Sequence, residues 1–183
     1  MDTLLVNGSA ADDRFDTKVT GRRASIRLIA PPFDSVDFGG VEQLRVDTGS
    51  GNDSVSVAAL PVTATAQVRL NLGMPNTDHD SVDVSLGNDS EKVRALGSRA
   101  AGISVSGMAV PVLMSGTEKL TLVGGFGDDL IDGSRLPAGA LDEFVIFGYS
   151  NNGPPSHGHD TLIGSQGDDQ IFGFDDGGDR VRG

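Results

Sequence analysis

Residues 42–53, Glu-Gln-Leu-Arg-Val-Asp-Thr-Gly-Ser-Gly-Asn-Asp, align without a gap on residues 118–129, Glu-Lys-Leu-Thr-Leu-Val-Gly-Gly-Phe-Gly-Asp-Asp, 76 positions further on. Asp13 and Asp89, Gly21 and Gly97, and Gly40 and Gly116 keep the same offset. A third copy starts near the end, where Asp160-Thr161-Leu162-Ile163 resembles Asp2-Thr3-Leu4-Leu5. Such repetition narrows the choice of fold. Each unit must bury its apolar face against its neighbours, so equivalent positions stack and the whole becomes a solenoid. The expected organisation is two degenerate repeats of 76 residues over 1–152, followed by shorter tandem repeats over 153–183. Together they would form one continuous solenoid, part of a longer array.

Within each repeat the apolar residues alternate with polar ones. Leu44 and Val46, Val55 and Val57, Val68 with Leu70 and Leu72, and Val82 with Val84 and Leu86 are examples. Ile26 with Leu28, Ile103 with Val105, Leu120 with Leu122, and Val145 with Phe147 continue the pattern. Period two, bounded by Gly, Asn, Asp and Pro, predicts short strands. No window of helical length carries apolar spacing without an interrupting Gly or Pro, so the expected class is all-β, with mostly parallel strands.

The turns carry the charge. Of the 26 acidic residues only Glu42, Glu91, Glu118 and Glu143 are glutamates, and Asp and Gly are turn formers. A net charge of −12 argues against nucleic acid, whose phosphates need a basic face. It also argues against direct contact with an anionic membrane, and no apolar stretch is long enough for insertion. Cysteine is absent, which excludes a disulfide framework. The amino terminus has no signal-peptide pattern, so any address lies outside this chain.

Residues 124–132 read Gly-Gly-Phe-Gly-Asp-Asp-Leu-Ile-Asp, a full match to Gly-Gly-x-Gly-x-Asp-x-U-x with Ile131 at the large apolar position U. Three more copies follow in 155–182, with lapses. Glycines permit tight turns that aim carbonyls inward, one Asp adds a carboxylate, and the apolar residue plugs a thin core. Carbonyls and carboxylates at fixed spacing suit a hard divalent cation such as Ca²⁺. Cations would also relieve the repulsion among clustered aspartates.

These residues resemble the repeats-in-toxin (RTX) family of hemolysin-type calcium-binding proteins. The resemblance implies a right-handed parallel β-helix or β-roll solenoid with calcium between loops of successive coils. Carried over residue by residue, the sixth-position aspartates are Asp129, Asp160, Asp169 and Asp179, with Asp53 as a weaker match. The turn glycines are Gly124, Gly125, Gly127, Gly158, Gly164, Gly167 and Gly177, with Gly49 and Gly51 in the earlier loop. The sequence departs from the family where Pro155 and Ser156 replace Gly-Gly, and where Ser165 replaces the second Gly. Residues 1–123 match the nonapeptide only around Asp13 and Asp53 and poorly around Asp80 and Asp89, which read as solvated turns.

Other groups read as structural. Glu42 and Glu118 occupy equivalent positions, better explained by ties between coils than by acid–base catalysis. His157 and His159 lack the further Cys or His partners that zinc requires. No nucleophile constellation or phosphate loop is present. The expected function is therefore non-enzymatic: a calcium-binding module of a large secreted or cell-surface bacterial protein, rigidified by calcium outside the cell. Its partners would be calcium ions, neighbouring repeats of the parent protein or a cell-surface polysaccharide. The rival expectations are a β-helical polysaccharide lyase or epimerase, for which Trp is absent and Lys occurs only at 18, 92 and 119, and a metal-independent adhesin stalk.

Overall fold

The alternating segments all become strands in the computed structural model, which describes residues 1–29, 35–73, 78–149, 158–173 and 178–183. In chain order these are β1 (Thr3–Ser9), β2 (Arg14–Thr20), β3 (Arg23–Leu28), β4 (Ser35–Phe38), β5 (Val41–Gly49), β6 (Ser54–Val57) and β7 (Thr65–Asn71). The second set is β8 (Ser81–Gly87), β9 (Lys92–Ser98), β10 (Gly102–Ser106), β11 (Val112–Ser115), β12 (Lys119–Gly125), β13 (Leu130–Arg135) and β14 (Glu143–Phe147). β15 (Thr161–Ile163), β16 (Asp169–Phe172) and β17 (Arg180–Arg182) complete the chain. No helix occurs among the described residues. The fold is all-β.

The strands form two mixed sheets that face each other across the apolar core. One runs β1-β5-β7-β11-β10-β9-β13-β15-β17 and the other β16-β14-β12-β8-β6-β2-β3-β4. Successive strands cross from one sheet to the other, with two exceptions. The excursions β2-β3-β4 and β9-β10-β11 each stay within one sheet and pair antiparallel. All other pairs among the described residues are parallel. The first excursion turns on Gly21, whose φ of 62° suits the two-residue loop between Thr20 and Arg23.

The long sequence repeat is visible strand for strand, β1–β7 against β8–β14, but the copies swap sheets. Counting each excursion once, a repeat visits the sheets five times. An odd number of visits makes the next copy start on the opposite side. Leu44 and Val46 on β5 therefore face the core from the nine-stranded sheet, while Leu120 and Leu122 on β12 face it from the other. All four are buried. Equivalent positions thus lie in opposite sheets, where simple stacking was expected. Each fully buried Leu or Val contributes about 1.5–3 kcal/mol of hydrophobic stabilisation.

Candidate metal centre

At eight of the crossings between sheets the residue before the strand is an acid that joins one of two lines, each along an edge of the structure. On the first edge, Asp13 N donates to Asp53 Oδ1 at 2.8 Å, Asp53 N to Asp80 Oδ1 at 2.7 Å, and Asp80 N to Glu118 Oε2 at 3.0 Å. On the second, Glu91 N donates to Asp129 Oδ1 at 2.8 Å, Asp129 N to Asp160 Oδ1 at 2.9 Å, and Asp160 N to Asp179 Oδ1 at 2.9 Å. Each carboxylate after the first in its file thus satisfies the backbone N–H of the acid before it. The result is two files of carboxylates, each running from strand to strand.

The local sequence explains the placement. The acid ends a turn, and two positions later comes an apolar residue that enters the core: Phe15, Val55, Val82 and Leu120 on the first edge, Val93, Ile131 and Leu162 on the second. That anchor fixes the strand's phase and turns the preceding carboxylate inward. Asp13, Asp53, Asp80, Glu118, Asp129 and Asp160 are all buried as a result. At the far end the anchor fails, because Val181 is exposed and Asp179 is only half-buried.

The second oxygens define the site. Asp53 Oδ2, Glu91 Oε2 and Asp129 Oδ2 are buried and accept no hydrogen bond, and Thr48 Oγ1 is likewise buried without a partner. On the second edge each Oδ2 rests against a glycine. The place a Cβ would take lies 2.8 Å from Asp129 Oδ2 at Gly124, 2.5 Å from Asp160 Oδ2 at Gly148, and 2.5 Å from Asp179 Oδ2 at Gly173. At Gly124 the carbonyl oxygen of Gly148 also comes within contact of that place. A carboxylate and a carbonyl oxygen converge where a side chain would stand.

Burial raises the affinity of these groups for protons. Loss of hydration pushes the Asp129 carboxyl up to about 7, with further upward contributions from the charges of Asp160 and Glu91. Asp80 is pushed up to about 6, again chiefly by burial and then by Asp53 and Glu118. Glu91 is raised by burial as well. Ionised carboxylates stacked this closely call for compensating charge. On the first edge Arg99 Nη1 lies 3.9 Å from Glu118 Oε1.

The residues carried over from the RTX motif fall in three groups. Asp129, Asp160 and Asp179 come together in the second file, and Asp53 joins the first. Asp169 joins neither. Its carboxylate closes back on Ser165, accepting the N–H at 2.8 Å and the hydroxyl at 2.6 Å, while its Oδ2 sits against Gly164. Gly49, Gly51, Gly125, Gly127 and Gly158 have the left-handed φ that tight turns need, between 99° and 120°. They also stack, the Cβ place of Gly127 lying 2.7 Å from Asp89 O and that of Gly158 against Gly127 O. Gly124 has no such φ; its role is room for the carboxylate. Gly167 is exposed at the turn before β16. Gly177, with Pro155, Ser156 and His157, lies outside the described residues.

Sequence reasoning missed Asp13, Asp80, Glu91 and Glu118 as file members. Asp80 was expected as a solvated turn and is 3% exposed. The signal was present, since Asp80-Ser-Val-Asp-Val84 repeats Asp53-Ser-Val-Ser-Val57. Glu118 and Glu42 do tie neighbouring strands, accepting the N–H groups of Asp80 and Asp2. His159 presents its backbone N–H to Asp128 Oδ1 at 2.8 Å. Among the described residues no group of three or more His, Cys, Asp or Glu side chains converges to hold a metal. A cation here would need backbone carbonyls such as Gly148 O to complete its shell, and an all-oxygen set of that kind suits calcium. No protein-family model matches the chain, and no curated protein or solved structure does either.

Proposed function

We propose that the chain is a calcium-binding repeat module of the RTX type, a structural rather than catalytic part of a large secreted or surface-attached bacterial protein. The two facing sheets are read as the walls of a right-handed parallel β-helix or β-roll solenoid, lengthened in places by the antiparallel excursions. Calcium would sit along the carboxylate files, above all where Asp129, Asp160 and Asp179 follow one another. Backbone carbonyls at Gly148 and its neighbours would supply the remaining oxygens.

The observation that carries this reading is the buried, acceptor-only oxygen left over on Asp129, repeated on Asp53 and Glu91. A buried carboxylate oxygen without a donor is costly, and a proton or a cation removes that cost. Between them the chain's aspartates and its net charge of −12 favour a cation where calcium is plentiful. Bound calcium would neutralise the files and stiffen the stack, and its loss would loosen it. Neighbouring repeats or a surface polysaccharide are the partners that such a module would meet.

Titration calorimetry tests this directly. Calcium should bind with a dissociation constant of about 10⁻⁴ to 10⁻³ M, and magnesium much more weakly. At ten times that constant, calcium should add about 1.4 kcal/mol to stability. Absence of calcium heat, with an unchanged melt, would overturn the reading in favour of a metal-independent stalk.

A further inference from the structure

The outer face of the nine-stranded sheet carries a groove of about 530 Å³ across β7, β11, β10 and β9. Strand register sets Arg45, Arg69, Leu113, Ser104 and Leu96 side by side in one row, each in the outward phase of its strand. The depth comes from small residues. Ser104 stands between two leucines, and Gly97 and Gly102 at the end of the hairpin contribute no side chain to fill the space.

The charge of this groove is opposite to that of the protein. The chain has 26 acidic residues in 183, yet none lies among the described residues that line the groove. Arg45 is paired with Asp47 at 2.9 Å. Arg69 gives its Nε–H to the neutral Gln67 Oε1 at 3.0 Å and makes no ion pair among the described residues. One guanidinium charge therefore remains open at the head of an aliphatic trough. From Arg69 to Leu96 the row crosses three strand spacings, about 14 Å in total. The volume lies in the range of small-molecule sites, about 300–1,000 Å³.

We propose that this groove binds a small amphiphilic anion, its headgroup on Arg69 and its aliphatic body along Leu113, Ser104 and Leu96. An aliphatic body is favoured over a sugar ring because no aromatic side chain lines the groove to stack on one. The groove lies on the outer face, apart from the carboxylate files at the edges, so it is independent of the calcium reading.

Octanesulfonate is a suitable probe, since its headgroup tolerates calcium, and calorimetry on the whole chain with and without calcium measures its binding. Arg69→Gln should weaken binding about tenfold, the worth of one charge-assisted hydrogen bond. Ser104→Leu, which fills the trough, should weaken it comparably, while octyltrimethylammonium and methanesulfonate should bind far less well than octanesulfonate. Both substitutions are at outward positions, and an unchanged circular dichroism spectrum and calcium response show that the fold persists. Equal binding of the cationic amphiphile, wild-type affinity in both variants, or no octanesulfonate binding at all would each overturn the proposal.

Discussion

At Asp129 one carboxylate oxygen accepts the Glu91 N–H at 2.8 Å, while the other is buried against Gly124 with no donor. Asparagine at this position would keep the acceptor and lose the charge. Asp129→Asn should therefore abolish most of the calcium-induced rise in melting temperature, and leave the calcium-free melt unchanged or slightly higher at pH 8. The neighbouring Asp128 is exposed, and its Oδ1 accepts the His159 N–H at 2.8 Å, a bond that asparagine can also make. The first repeat already has Asn52 at the equivalent position, where Oδ1 accepts the His79 N–H at 2.8 Å. Asp128→Asn should leave the calcium response nearly intact. Thermal melts of the two variants, each with and without calcium, decide the matter; identical behaviour would show that the wrong carboxylate faces the metal.

At the scale of strands, the register of β12, β14 and β16 brings Gly124, Gly148 and Gly173 into line at the end of one sheet. These strand ends leave space for the carboxylates of the following turns. Gly148 lacks a left-handed φ, so backbone preference alone would allow alanine there. Space forbids it, because the new Cβ would lie 2.5 Å from Asp160 Oδ2. Gly148→Ala should cost about 1–3 kcal/mol, typical of overpacking a well-filled site, and should also weaken calcium binding. Urea denaturation with a calcium series measures both. A neutral effect on each would mean that the Asp160 carboxylate is free to move aside.

For the molecule as a whole, the files couple stability to pH. Asp129 and Asp80 have carboxyls raised to about 7 and about 6 in the folded chain, above their ordinary range near 4. In that window the folded state holds more protons than the unfolded one, so stability falls as pH rises. Without calcium, the melting temperature should drop steadily between pH 5 and pH 8, with most of the loss complete above pH 7. Calcium binds the ionised form, so it should flatten or reverse that slope while releasing protons. Melting curves in chelator and in calcium across the same pH series test both arms. A flat calcium-free profile would mean that the files are already compensated.

The period-two alternation and the repeat were enough to reveal an all-β chain of mostly parallel strands. Local side-chain phase decides which face of a strand is buried, and turn residues mark the ends of strands; both are properties of short segments. The nonapeptide motif likewise pointed to Asp53, Asp129, Asp160 and Asp179, because an acid before a polar–apolar pair is a local pattern. The same pattern was matched at Asp13 and poorly at Asp80 without being carried to the site, and it was overlooked at Glu91 and Glu118, since these turns lack the full glycine signature. Two features depended on packing at long range. The swap of the repeat between sheets follows from the odd number of sheet visits in each copy, and nothing local sets how often a chain crosses. The separation of Asp169 from the files has the same origin: its carboxylate closes on Ser165 within its own turn, and which acid finds a neighbour's N–H is settled only when the strands on either side have taken their register.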